Sequence, residues 1–67
     1  MIDARGFSCP EPVIMIKKAM ASKEDRYDMM VDNKVSVENV TRFAEYNGYE
    51  VACEADGEDY KLSITKK

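Results

Sequence analysis

The chain opens with alternating apolar and charged residues, and apolar residues then recur at helical spacing. Residues 1–5 place Ile2 and Ala4 on one face of an extended chain, which predicts a short strand. Residues 10–21 predict a helix, because one side of that helix would be apolar throughout. The apolar positions on that side are Val13, Ile16, Ala19 and Met20.

A second helix is predicted to begin at Ser36, which is a suitable N-cap residue. Val35 and Val40 occupy the two positions of a hydrophobic staple around that cap. Gly48 supplies the left-handed residue that commonly follows a helix end. The apolar stripe of this helix consists of Val37, Val40, Phe43 and Ala44.

Alternation predicts the remaining strands. Residues 27–32, which lie between the two predicted helices in the sequence, alternate between inward and outward side chains. The inward side chains are Tyr27, Met29 and Val31. The last third of the chain predicts a hairpin around Asp56-Gly57, which is a strong two-residue turn signal. If Ala55 pairs with Glu58, the Cys53 side chain faces inward, so we expect it to be buried beneath the helices.

The resulting order, βαβαββ, predicts an α/β two-layer sandwich in which both helices cover one face of the sheet. A strand-helix-strand unit joins parallel strands through a right-handed crossover. The other face of the sheet would be polar, and it would be solvated or covered by another domain. Its outward side chains are Asp3, Arg5, Asp28, Met30, Asp32, Glu50, Glu54 and Lys61.

Size and charge narrow the classes of function. A chain of 67 residues makes one domain with a thin core, which favours a carrier or binding module over a self-sufficient enzyme. The net charge of −3, without a basic patch, argues against direct nucleic-acid binding. The longest apolar run, residues 13–16, is too short to span a membrane. No signal peptide opens the chain, so we expect a cytoplasmic protein.

The chemistry left to this chain is thiol chemistry, or none. It has two cysteines and no histidine, so one chain cannot supply the four ligands of a structural zinc site. A cysteine–histidine catalytic pair is also excluded. Of the two thiols, Cys9 stands in the segment Cys-Pro-Glu-Pro, just before the first predicted helix.

The position of Cys9 suits a reactive thiol. If Pro10 is the first helical residue, Cys9 is the N-cap; alternatively, the helix starts only at Pro12. In either case the partial positive charge of the helix N-terminus favours the thiolate, which is the nucleophile. Lys34 and Arg5 are candidate cationic partners that would favour the thiolate, whereas the negative charge of Glu11 would disfavour it. The alternative interpretation is that Cys9 is a small buried residue before a helix.

Residues 3–12, Asp-Ala-Arg-Gly-Phe-Ser-Cys-Pro-Glu-Pro, resemble the signature of the TusA/SirA-like sulfur-carrier family. The segments 31–33 and 37–42 resemble the YedF branch, which is associated with selenium metabolism. The resemblance implies a mixed four-stranded sheet of order 1-2-4-3 with an antiparallel fourth strand. It also implies that residues 1–67 form one TusA/SirA-like domain, either free-standing or the N-terminal part of a longer chain.

The resemblance further implies a role for Cys9. In the family, the matching cysteine accepts sulfane sulfur as a persulfide from a donor such as a cysteine desulfurase and passes it to an acceptor protein. Such a carrier needs no metal or organic cofactor. The residues expected to support the site are Asp3, Arg5, Gly6, Pro10, Glu11 and Pro12, and the candidate partner contacts are Phe7, Asn33 and Lys34.

Two other classes of function stay open from the sequence. One is a regulatory or protein-interaction module without sulfur chemistry, which a Cys9→Ser protein with full function would favour. The other is a nucleic-acid-binding domain, which the acidic charge balance disfavours.

Overall fold

A computed structural model of the chain describes residues 1–7 and 10–67. The elements are β1 (Ile2–Asp3), α1 (Glu11–Met20), β2 (Arg26–Val31), α2 (Lys34–Tyr46), β3 (Tyr49–Asp56) and β4 (Asp59–Lys66). The sheet has the order β1-β2-β4-β3. Strand β1 is parallel to β2, and β4 is antiparallel to both β2 and β3. The predicted two-layer fold, strand order and direction of β4 are therefore confirmed.

The core lies between the two helices and the sheet face that the alternation predicted. Tyr27, Met29 and Val31 of β2 are buried, as expected. They lie opposite Ile64, Leu62 and Tyr60 of β4, respectively. Ile16, Val40 and Ala44 close the core from the helical side, and each is fully buried. Within the described part of the chain, neither helix is long and apolar enough to cross a membrane.

The start of α2 differs from the prediction. Asn33, rather than Ser36, is the N-cap, and its side-chain oxygen accepts a 2.8 Å hydrogen bond from the backbone N–H of Ser36. The helix therefore begins three residues earlier than expected, and the predicted staple is wrong because Val35 is 59% exposed. Asparagine and serine are both good N-caps, so composition alone could not decide between these two positions.

The register of the β3–β4 hairpin also differs. Asp56 pairs with Asp59 and Ala55 pairs with Tyr60, so the two turn residues are Gly57 and Glu58. The φ of Gly57 is +64°, and glycine with positive φ at the first of two turn residues is typical of a type II′ turn. The prediction centred the turn one residue too early. The pairing moved by two residues, so each side chain kept its face of the sheet.

The prediction that Cys53 is buried is wrong, because its side chain is exposed. Cys53 lies opposite the buried Leu62 and so faces the helical side of the sheet, as its phase indicated. Exposure increases along β3, from the buried Tyr49 through the half-buried Val51 to Cys53. Helix α2 contacts β3, and this burial pattern shows that the later part of the edge strand is left open.

The other face of the sheet carries the predicted charged residues, with one apolar exception. Met30 lies on this face between Asp3 of β1 and Lys61 of β4, yet it is only 8% exposed. Long neighbouring side chains can cover such a position with their aliphatic stems. The polar face therefore contains a small apolar centre beside the loop that follows β1.

Candidate functional site

The loop that leads to Cys9 begins with a tight turn from Ala4 to Phe7. The backbone N–H of Phe7 donates to the carbonyl oxygen of Ala4 at 3.3 Å, and Gly6 has a φ of +85°. A positive φ at the third position of a turn is typical of type II and favours glycine. The N–H of Ala4 donates to the carbonyl oxygen of Met30 at 2.8 Å, so this turn starts directly from the sheet.

Asp32 ties this turn to the end of β2. One of its carboxylate oxygens accepts a 2.8 Å hydrogen bond from the backbone N–H of Gly6, and the other accepts a 3.0 Å bond from the side-chain amide of Asn33. These donors, the Gly6 N–H first, lower the pKa of Asp32 from its usual value. A charged carboxylate therefore accepts the backbone N–H of Gly6, the residue of the turn that has a positive φ.

The same hydrogen-bond chain continues into the first turn of α2. Asn33 donates to Asp32 and accepts from the N–H of Ser36, so the β1–α1 loop is linked to the N-terminus of α2. The Ser36 hydroxyl is buried and has no hydrogen-bond partner within residues 1–7 and 10–67. A buried hydroxyl normally has a partner, so this group is distinctive in the neighbourhood of the loop.

Asp3 and Arg5 form a bidentate ion pair at the start of the turn. The Nε and Nη2 atoms of Arg5 each donate to an oxygen of Asp3 at 2.9 Å. The remaining Nη1 atom reaches Asp59 at 3.5 Å. Hydrogen bonds from Arg5 lower the pKa of Asp3 to about 2, and Asp3 in turn raises the pKa of the Arg5 guanidinium. Arg5 is thus held by two carboxylates, which limits its use as a free cation beside a thiol.

The two prolines shape the start of α1 in a way that matches neither sequence-based alternative. Pro10 is the N-cap, Glu11 is the first helical residue, and Pro12 is the second and is buried. The first helical hydrogen bond runs from the N–H of Ile14 to the carbonyl oxygen of Pro10 at 3.1 Å. Proline costs little here because the first N–H groups of a helix have no helical acceptor. Glu11 also places a negative charge in the first turn, where the helix dipole favours it.

The remaining predicted site residues surround this loop, apart from Cys9, which lies outside the described residues. Phe7 is 47% exposed, which suits a partner contact more than a core position. Lys34 is exposed at the first position of α2, next to the half-buried Asn33. The end of β2 and the loop after β1 meet at one edge of the sheet, where ligands of open α/β sheets tend to bind.

An apolar groove between the two helices adjoins the same loop. It has a volume of about 430 Å³ and is lined by Pro10, Val13, Asn39, Arg42, Phe43 and Tyr46. Arg42 donates to the Asn39 side chain at 3.3 Å, and Tyr46 is 89% exposed. The groove begins at Pro10, the residue that follows Cys9 in the chain.

Sequence reasoning missed Asp32 and Asp59 as parts of the site. Asp32 was assigned to the polar face and Asp59 was not singled out, although Asp32 follows the last residue of β2 at the edge of the sheet where loops meet. That position could have identified Asp32. Asp59 could not have been found, because its contact with Arg5 depends on a hairpin register that the sequence pattern placed two residues away.

Comparisons with known proteins agree on one family. The family model described as "Sulfurtransferase TusA" matches residues 1–66. A protein of Methanocaldococcus jannaschii whose curated name is that of a sulfur carrier protein is 37% identical over 68 residues, covering 98% of this chain and 91% of that protein. The crystal structure of a SirA-like protein from Desulfitobacterium hafniense superimposes with a TM-score of 0.83 at 38% identity, covering 96% of this chain and 92% of the other.

Proposed function

The chain belongs to the TusA family of sulfurtransferases, and on that premise we propose that it is a sulfur carrier that bears persulfide sulfur on Cys9. The observation that carries this proposal is the segment of residues 3–12, in which Cys9 directly precedes the N-cap of α1. A thiol near a helix N-terminus is favoured in its thiolate form, which is the nucleophile. The proposed donor is a protein of the cysteine desulfurase type, and the acceptor is a second protein.

The transfer balances as a thiol exchange. The Cys9 thiolate attacks the terminal sulfur of a persulfide on the donor protein, and a bond forms between the two sulfurs. The sulfur–sulfur bond within the donor persulfide breaks, and the donor cysteine leaves as a thiolate. An acceptor thiolate then attacks the terminal sulfur now held on Cys9 and releases the Cys9 thiolate. No electrons are gained or lost overall, so the carrier requires no redox cofactor or metal.

The described residues around Cys9 support a docking surface for these partners. Phe7 offers an exposed apolar side chain, and Lys34 offers an exposed cation at the start of α2. The turn that contains Gly6 is held by Asp32, and the Asp3–Arg5 pair braces it from the polar face. A braced loop loses less conformational entropy when a partner binds, which favours repeated docking with a donor and then an acceptor.

The test is intact mass spectrometry after incubation of the chain with a cysteine desulfurase and cysteine. We expect the wild type and Cys53→Ser to gain the mass of one or more sulfur atoms in a form that dithiothreitol removes, and Cys9→Ser to gain none. Because Cys53 is also exposed, Cys53→Ser is the matched control. Loading of Cys9→Ser to the wild-type level would sink the proposal. Full cellular function of Cys9→Ser would instead favour an interaction module.

A further inference from the structure

Strand β3 is a long edge of the sheet, and no strand within residues 1–7 and 10–67 pairs with its outer side. It pairs with β4 over all eight of its residues, Tyr49–Asp56, with one partner for each residue and no bulge. The opposite edge of the sheet is β1, which has only two residues. A long regular edge strand presents unpaired backbone groups to any extended chain of suitable sequence. The two edges of this sheet therefore differ greatly in what they could bind.

The hairpin register determines which backbone groups of β3 point away from the sheet. Only two residues separate Asp56 from Asp59, so this closing pair must exchange both of its backbone hydrogen bonds. Hydrogen-bonded and non-hydrogen-bonded pairs alternate along an antiparallel ladder. The N–H and C=O groups of Val51, Cys53 and Ala55 therefore point outward, and those of Ala52 and Glu54 point toward β4.

Natural proteins usually protect such an edge with lysine, proline, a bulge or a covering segment. Strand β3 contains neither lysine nor proline. Its charged side chains are Glu50, Glu54 and Asp56, which are all acidic, exposed and on the polar face of the sheet. On the other face of β3, the side chains beyond Val51 are small and apolar, and these two residues, Cys53 and Ala55, are exposed.

A second copy of this chain is a poor occupant of the edge. The two antiparallel self-pairings of β3 with the longest overlap place Glu50 opposite either Glu54 or Asp56 of the other copy. Two-fold symmetry makes each of these contacts occur twice. Like charges directly opposite one another on a sheet are destabilising. The acidic side chains therefore disfavour self-association and select for a strand that carries the opposite charge.

We propose that the β3 edge binds an extended segment of a partner protein in which basic and apolar residues alternate. The partner's backbone would pair with the outward groups of Val51, Cys53 and Ala55, as in other cases of strand addition. Its basic side chains lie opposite Glu50 and Glu54, and its apolar side chains extend the helical-side layer over Val51 and Cys53. The proposal requires neither Cys9 nor sulfur transfer.

The probe is a terminally blocked peptide, Thr-Lys-Val-Lys-Val-Lys-Thr, added to the isotopically labelled chain, with amide hydrogen exchange followed by NMR. Antiparallel pairing can set its first and last lysines opposite Glu54 and Glu50. We expect slowed exchange at the amides of Val51, Cys53 and Ala55, with little change at Ala52 and Glu54, which are already bonded to β4. This alternation is specific to strand addition, because loose ionic attraction would not produce it. Alkylation of Cys53 should slow in parallel.

Two charge-matched double variants complete the test. Glu50→Lys with Glu54→Lys should weaken peptide binding about tenfold or more, since two favourable cross-strand pairs become repulsive. Glu38→Lys with Glu45→Lys changes the net charge equally at exposed positions of α2 and should weaken binding much less.

Three results would overturn the proposal. One is equal weakening by both double variants, and another is equal binding of a peptide with glutamate in place of lysine. The third is protection of the same three amides that grows with protein concentration without peptide, which would make a second copy the occupant.

Discussion

The backbone N–H of Gly6 donates a 2.8 Å hydrogen bond to the carboxylate of Asp32. Gly6 belongs to the turn that leads into Cys9, and Asp32 follows the last residue of β2. Parallel pairing of β1 with β2 brings these two positions to one edge of the sheet. The geometry of the proposed reactive loop is thus linked to a side chain that lies 26 residues further along the chain.

Removing the Asp32 acceptor should disturb the loop without unfolding the protein. We expect Asp32→Ala to speed exchange of the Gly6 amide and to slow sulfur loading of Cys9 by on the order of tenfold, because the reacting group is less well positioned. Asp32→Asn retains a side-chain oxygen and should restore most of the rate. Amide exchange and single-turnover loading measure the two effects. If Asp32→Ala loads sulfur as fast as the wild type, Asp32 has no positioning role.

The Asp3–Arg5 pair should be visible in an acid titration. The pKa of Asp3 is lowered to about 2 in the folded protein from a reference of 3.8. A lowered folded-state pKa means that ionised Asp3 favours folding above about pH 4, and that this contribution is lost as the pH falls toward 2. NMR of the Asp3 side-chain carboxyl should show a midpoint near 2, and Arg5→Ala should return it toward 3.8. An unchanged midpoint in Arg5→Ala would contradict the assigned cause.

Gly6 is required by backbone conformation and not by lack of space. Its φ is +85°, and apart from its chain neighbours no atom of residues 1–7 and 10–67 lies within 4 Å of where a Cβ atom would stand. We therefore expect Gly6→Ala to lower the free energy of unfolding by ~1–2 kcal/mol, the cost of a left-handed conformation for an L-residue. Gly6→Asn should cost less, because asparagine tolerates this region better. Urea unfolding of the two variants measures the difference.

Leu62 and Cys53 are directly opposed on neighbouring strands but should respond very differently to truncation. Leu62 is fully buried and Cys53 is exposed. Leu62→Ala should cost ~2–5 kcal/mol, a large part of the ~3–10 kcal/mol expected for a domain of this length. Cys53→Ala should stay within ~0.5 kcal/mol, as is usual for surface positions. Chemical unfolding gives both values, and a loss above ~2 kcal/mol in Cys53→Ala would mean that this thiol is packed.

Charge reversal at Lys34 and at Lys61 tests which surface of the protein binds the sulfur donor and acceptor. Lys34 is exposed at the first position of α2, whereas Lys61 lies in the central strand β4 on the polar face. Lys34→Glu should slow sulfur transfer and reduce its dependence on salt, since charges at an interface rim act mainly on association rate. A glutamate is also acceptable in a first helical turn, so folding should be preserved. A loss in Lys61→Glu but not in Lys34→Glu would place the docking surface on the polar face.

The periodicity of the apolar residues was sufficient to predict the layers and the strand order once the family resemblance was added. Tyr27, Met29 and Val31 were placed correctly because burial on one face of a central strand leaves a clear two-residue repeat. Cys53 has the same repeat but lies on an edge strand, where the phase determines the face and the overlying helix determines burial. A sequence pattern therefore predicts the face on which a side chain lies, but not whether a helix covers that side chain.

The local features of the loops were harder to predict for a different reason. Asn33 and Ser36 are both acceptable caps, and their choice depends on the hydrogen bonds that Asn33 makes to Asp32 and Ser36. The hairpin turn could fall at Asp56-Gly57 or at Gly57-Glu58, and both registers preserve the two faces. Local turn preferences do not distinguish these two registers, and the register is seen only in the pairing of β4 with β2 and β3.

The position of β4 between β2 and β3 has a consequence for synthesis of the chain on the ribosome. Neither β2 nor β3 has its antiparallel partner until residues 59–66 have emerged from the exit tunnel. Until then, the nascent chain can form at most the short β1–β2 pair and its helices. The edge of β2 that pairs with β4 in the native sheet stays open. The native state should therefore form late and in one step. Protection from protease should appear when residue 66 emerges from the exit tunnel.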